Sequence, residues 1–171
     1  MFKVGDCVRY AQSGVCRIEE IRLMNLGGEE REYFVLAPLF RSGTVVYVPC
    51  GNQELVSRML PLLTPEQVHE VLEAVIEKEP EWNRDFRSRS DGAKKALISG
   101  DRTDALFLIK NIYAHKSALV GEGKYVHTTD DYFLRDAEEL IFYEFSLVLG
   151  KQYQEIAEMV RKAFGYGEEE K

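Results

Sequence analysis

EWNRDFRSRSDGAKKALISGDRTDALFLIKNIYAHKS, residues 81–117, holds the single tryptophan of the chain, Trp82, among arginines. From Trp82 to Ser117 the segment carries a net charge of +4, while the remainder of the chain carries −11. Its punctuation is helical. Ser90-Asp91 fits the start of a short helix through Ala93, Lys94, Lys95, Ala96, Leu97 and Ile98. Gly100 fits the left-handed cap that closes it, and Asp101 fits the cap of the next helix. That second helix carries Ala105, Leu106, Ile109, Ile112 and Tyr113 at helical spacing. Ser99-Gly100-Asp101 is then a tight turn that sets the angle between two helices. Residues 82–90 have weaker helix character, with Phe86 four after Trp82. An acidic protein with a basic, tryptophan-bearing island can meet a polyanion there and repel it elsewhere.

Outward from this segment the helical signals continue. Thr64-Pro65-Glu66-Gln67 opens a helix with a threonine cap, proline at the first position and a glutamine able to complete a capping box. Val68, Val71, Leu72, Val75 and Ile76 form its apolar stripe, and Glu77 to Pro80 ends it. Residues 119–128 read as a loop. Thr129-Asp130 is placed to cap a long helix bearing Tyr132, Phe133, Ala137, Leu140, Ile141, Phe145 and Val148, and Gly150 stops it. A last helix runs from Lys151 to Phe164, and the acidic tail to Lys171 is expected to be a frayed, solvated end.

Residues 1–50 have a different texture. Short β-rich runs are Cys7–Tyr10, Val15–Ile21, Glu32–Leu36 and Thr44–Val48, separated by turns at Ser13-Gly14, Leu26-Gly27-Gly28-Glu29 and Ser42-Gly43. Thr44-Val45-Val46-Tyr47-Val48 is the strongest of them, and Pro49 ends it. This spacing predicts a small, strongly bent sheet or barrel with an edge that must be covered or used. The expected class is α+β in two domains: residues 1–50 as a small β-barrel, 51–63 as a linker, and 64–171 as a helical domain.

The chain of 171 residues is 45% hydrophobic and 30% charged, with a net charge of −7, which is an ordinary globular composition. No apolar run reaches the ~20 residues of a membrane span, and the N-terminus has no apolar signal core. A cytoplasmic protein is expected. Cys7, Cys16 and Cys50 are odd in number and form no C-x-x-C pair, so neither a disulfide framework nor a zinc site is read from them. His69, His115 and His127 are far apart, and no phosphate loop or nucleophile motif is present. No metal, cofactor or catalytic residue is expected, and the chain is read as a non-enzyme. Trp82 has two readings that use the same residues. It can anchor a helical core under solvated arginines, or it can meet a base step while the arginines hold phosphates. Spacing alone leaves both open.

Three stretches carry a resemblance. Phe2 to Val15 reads F-K-V-G-D-x-V-x-Y-x-x-x-G-V; it is followed by E-Y-F-V-L at Glu32 to Leu36 and V-P at Val48-Pro49. These are similar to the polymerase-interaction domain shared by CarD-type regulators and transcription-repair coupling factor. W-x-R-x-x-R at Trp82, Arg84 and Arg87, followed by K-x-L-x-S-G-D from Lys95 to Asp101, resembles the CarD C-terminal domain. The resemblance implies a Tudor- or SH3-like β-barrel that binds the β subunit of bacterial RNA polymerase partly by strand pairing, here through Thr44, Val45, Val46, Tyr47 and Val48. It implies a helical domain that contacts promoter DNA at the upstream edge of the transcription bubble. Trp82 is then the minor-groove wedge, Arg84 and Arg87 hold phosphates, and Arg89, Lys94 and Lys95 extend the basic surface. The implied outcome is a more stable open complex, produced by a monomer without membrane contact. The alternative is a protein–protein adaptor that uses the barrel edge, with Trp82 in the core. Asp85, between the two arginines, departs from the basic pattern.

Overall fold

The computed structural model describes residues 1–167 and divides the chain into two units, Met1–Leu62 and Leu63–Lys171. The tail read as a solvated end, from Glu168 to Lys171, lies outside the described residues. The first unit is an antiparallel sheet. Its strands are β1 (Cys7–Tyr10), β2 (Gly14–Asn25), β3 (Glu30–Pro38), β4 (Val46–Pro49) and β5 (Met59–Pro61), with a short helix α1 (Gln53–Ser57) between the last two. The spatial order is β4-β3-β2-β1-β5. Alternation places Val8, Cys16, Ile18, Phe34, Leu36, Val48 and Met59 in one buried cluster drawn from all five strands. A register shift between Ile18 and Glu20 bends β2 where it pairs with β3. Gly27 and Gly28, both at positive φ, close the β2–β3 hairpin, and the Asn25 side chain accepts from the Gly28 N–H at 3.0 Å.

The barrel expected from strand spacing is not closed. The hydrogen-bonded order ends at β4 on one side and β5 on the other. Both are short, four and three residues, and α1 packs against both, lending the half-buried Leu55 and Val56 to the cluster. Residues 51–63, read as a linker, therefore contain α1 and β5. Asn52 caps α1 by accepting from the Leu55 N–H at 3.1 Å, and β5 pairs with β1 through Leu60 and Arg9. Cys16 is fully buried, and burial, aided by Cys7, pushes its thiol pKa up to about 11. It behaves as a small core side chain.

The second unit comprises α2 (Pro65–Ile76), α3 (Phe86–Ser99), α4 (Arg102–Gly121), α5 (Thr128–Leu149) and α6 (Tyr153–Ala163). The capping box at α2 forms as the sequence indicates, with Thr64 Oγ1 accepting from Gln67 N–H and Gln67 Oε1 from Thr64 N–H. Gly100 closes α3 in the left-handed region, and Asp101 caps α4 by accepting from Thr103 N–H at 2.8 Å. Three boundaries differ from expectation. α3 starts at Phe86, because Asp85 caps it by accepting from Ser88 N–H at 2.9 Å. α4 continues to Gly121, and α5 begins at Thr128 with His127 as its cap. The core joins all five helices through Val68, Leu97, Ile109, Phe142, Phe145 and Val160.

Two buried charges tie these helices together. Glu144 of α5 is fully buried, accepts two hydrogen bonds from Arg102 at 3.1 and 2.7 Å, and accepts a third from the Leu63 backbone N–H at 3.2 Å. Lys110 of α4 donates to the carbonyls of Val75, Ile76 and Lys78 at the end of α2. A cation there satisfies the orphan carbonyls and complements the helix dipole.

Candidate nucleic-acid and polymerase interfaces

β4 is an edge strand. The bond from Cys50 N–H to Glu32 O at 2.9 Å fixes the phase of its pairing with β3. In an antiparallel ladder bonded and non-bonded pairs alternate. Phe34/Val48 and Leu36/Val46 are therefore the bonded pairs, and the backbone groups of Tyr47 point away from β3. Val45 and Tyr47 are also exposed in their side chains, Val48 is buried, and Val46 is half-buried. Thr44 and Val45 precede the strand, and Pro49 is its last residue. The outer edge thus offers backbone groups flanked by an aromatic and a β-branched side chain, the chemistry that strand addition uses.

The second candidate surface surrounds Trp82. The segment before α3 is held at several points. Glu81 N–H donates to Asn111 Oδ1 at 2.8 Å, Asn83 Oδ1 accepts from Asp85 N–H at 3.0 Å, and Asn83 Nδ2 donates to Ser88 Oγ at 2.9 Å. Trp82 is half-buried and packs against the helical core. Its indole stacks on His115 of α4 with ring centres 3.7 Å apart and planes 8° apart. The Arg89 guanidinium lies over the indole at 4.6 Å and over Phe86 at 5.4 Å. Arg89 itself is taken up: it gives two parallel bonds to Asp130 of α5, at 3.0 and 2.9 Å, and a third to Asn83 O. Asp130 is 2% exposed. Phe86 continues the aromatic surface to His127, 4.8 Å away. Burial, followed by the Arg89 charge, holds His115 below the ordinary histidine value of 6.5, with Asp130 and Glu122 opposing.

The predicted DNA-contacting residues fall into three groups. Arg84, Arg87, Lys94 and Lys95 are exposed, and none has a carboxylate partner among the described residues. Some other exposed cations do: Arg22 pairs with Glu20, Arg31 with Glu29, Arg58 with Glu54 and Lys124 with Glu122. Arg87 and Lys94, seven residues apart, share one flank of α3. Lys95 lies on another, beside Gly92 and Ser99 along a groove of about 440 Å³ between α3 and α4 that Trp82 also lines. Arg89 stands apart as the third, since its fork is committed inside the unit.

Sequence reading missed His115, Asp130, Asn83 and Asn111. Asp130 and Arg89 are 41 positions apart, and nothing local marks them as partners. Among the described residues no cluster of three or more metal-binding side chains forms, and no helix is long and apolar enough to cross a membrane.

Residues 2–60 match the family described as the CarD-like/TRCF RID domain. The match spans nearly all of the first unit, including the β4 edge, and implies an interaction with RNA polymerase. By that match the N-terminal unit of the chain is a CarD-like/TRCF RID domain.

Proposed function

We propose that this protein is a non-enzymatic, cytoplasmic transcription regulator that rides on RNA polymerase and steadies the open promoter complex. The RID domain docks by adding a strand of the polymerase β subunit to the outer edge of β4, where Tyr47 turns its backbone groups away from β3 and Val45, just before the strand, is exposed. The helical unit of a single bound copy then meets promoter DNA at the upstream edge of the bubble. Arg84, Arg87, Lys94 and Lys95 contact phosphates, and the exposed edge of the Trp82 indole presses against a base step in the minor groove. A protein that binds the open state better than the closed one shifts the population toward it, and tenfold requires only about 1.4 kcal/mol of difference.

The observation that carries the DNA part is the set of four exposed cations without carboxylate partners on or just before α3, the helix that follows the half-buried tryptophan. On an acidic chain such charges gain from releasing the counterions of DNA. The test is the salt dependence of promoter binding by the polymerase–protein complex. Replacing Arg84 and Arg87 by Gln is expected to reduce the slope of log affinity against log salt by about one per lost contact. An unchanged slope overturns the phosphate role. The packing of Trp82 on His115 favours a second reading, an adaptor in which the indole is a core residue. Under that reading Trp82→Ala unfolds the helical unit, at a cost of about 3–5 kcal/mol, and no salt-dependent DNA binding is seen.

A further inference from the structure

The exposed edge of Trp82 can act on DNA only if the indole keeps its orientation under load. A lone tryptophan on a loop ahead of a helix is a poor lever, because its two side-chain torsions are free to yield. Here they are not free. His115 stacks flat on the ring at 3.7 Å, and Arg89 lies over it at 4.6 Å. Arg89 is held in turn by the nearly buried Asp130 through two parallel bonds. The backbone on either side is stapled as well, Glu81 to Asn111 and Asn83 to Arg89. The parts come from three helices: α3 supplies Arg89, α4 supplies His115 and Asn111, and α5 supplies Asp130.

We infer that His115 and Asp130 are positioning residues that form a clamp, His115 by stacking and Asp130 by holding Arg89 over the ring, so that Trp82 meets DNA as a pre-oriented blade. This rests on the DNA reading above and adds the device that makes it work. A pre-oriented side chain loses less rotamer freedom on binding than a mobile one, so more of each contact appears as open-complex stability. Neither His115 nor Asp130 need touch DNA. Their effect passes through the indole, which separates them from Arg84 and Arg87.

The experiment compares the full-length protein with four variants, on polymerase holoenzyme and a linear promoter fragment. It records the open-complex half-life, the affinity for polymerase, and the near-ultraviolet circular dichroism of the only tryptophan. His115→Phe keeps a flat aromatic partner and is expected to remain within twofold of wild type in half-life. His115→Ala is expected to shorten the half-life at least fivefold, with polymerase affinity unchanged and the tryptophan signal collapsed. Asp130→Asn, which loosens the hold on Arg89, is expected to act in the same direction. A cooperative melt of the variants separates release of the ring from loss of the fold. If His115→Ala keeps the wild-type half-life while Trp82→Ala loses it, the wedge stands and the clamp is overturned. If His115→Phe fails as badly as His115→Ala, stacking is not the cause and the clamp is likewise overturned. If Trp82→Ala keeps the wild-type half-life, the DNA reading falls and takes the clamp with it.

Discussion

Asp85 is an acid inside a basic run, and the helix it starts explains it. Its carboxylate accepts from Ser88 N–H at 2.9 Å, so it caps α3 and complements the positive end of the helix dipole. The charge it removes from the basic surface is offset by the stability of the helix that carries Arg87, Lys94 and Lys95. His115 shows the opposite relation between appearance and role. As a residue it looks isolated, yet it stacks on the only tryptophan. Its folded pKa lies below 6.5, chiefly through burial and then through Arg89. The unfolded chain therefore takes up this proton first. Its contribution to stability is complete above 6.5 and diminishes as pH falls from 6.5 toward the depressed folded value. Trp82 fluorescence in the folded protein is expected to titrate with a midpoint below 6.5, because protonated imidazole quenches a stacked indole. His115→Phe is expected to remove that titration, and a midpoint above 6.5 would contradict the packing described.

Elements differ in how far they can be read from sequence. α2 is legible because its cap, proline and apolar stripe are local, and all three signals sit within Thr64–Ile76. The Gly100-Asp101 turn is legible for the same reason. β5 is not, because a three-residue strand has no periodicity, and Met59 is placed in the core through pairing of β5 with β1, Met59 opposite Tyr10, far away in sequence. α1 escapes too, since five residues make little more than one turn. The start of α5 is misplaced because Thr129-Asp130 imitates a cap, whereas Asp130 is drawn inward to Arg89 and His127 does the capping. Two predictions belong at this scale. Tyr47→Pro removes an N–H that the sheet does not use and is expected to abolish polymerase binding while changing the melting temperature little; equal binding would rule out strand addition at β4. Glu144→Ala leaves Arg102 buried without its carboxylate and is expected to destabilise the helical unit by about 3–5 kcal/mol in urea unfolding. A loss below about 1 kcal/mol would mean that the buried pair does not tie α4 to α5.

For the molecule as a whole, the two units divide the labour by chemistry. The first is a sheet with a usable edge and no concentrated positive charge. The second is a helical scaffold whose buried ion pairs lock three helices and whose Arg84, Arg87, Lys94 and Lys95 stand exposed at the start and along the flanks of α3. The broad architecture, a β unit followed by helices, was readable from the change of pattern after Pro49. The residues proposed to face DNA stand out in the sequence as a basic island around Trp82, but their sorting in the fold does not. Arg89 turns inward because Asp130, 41 positions later, completes a pair that only the fold can assemble. The account depends most on Trp82, and the direct measurement is the lifetime of polymerase–promoter open complexes with the full-length protein and with Trp82→Ala at saturating concentration. The account predicts that Trp82→Ala binds polymerase as wild type does and lengthens the open-complex lifetime by less than about a fifth of the wild-type effect. A wild-type lifetime with Trp82→Ala would contradict it.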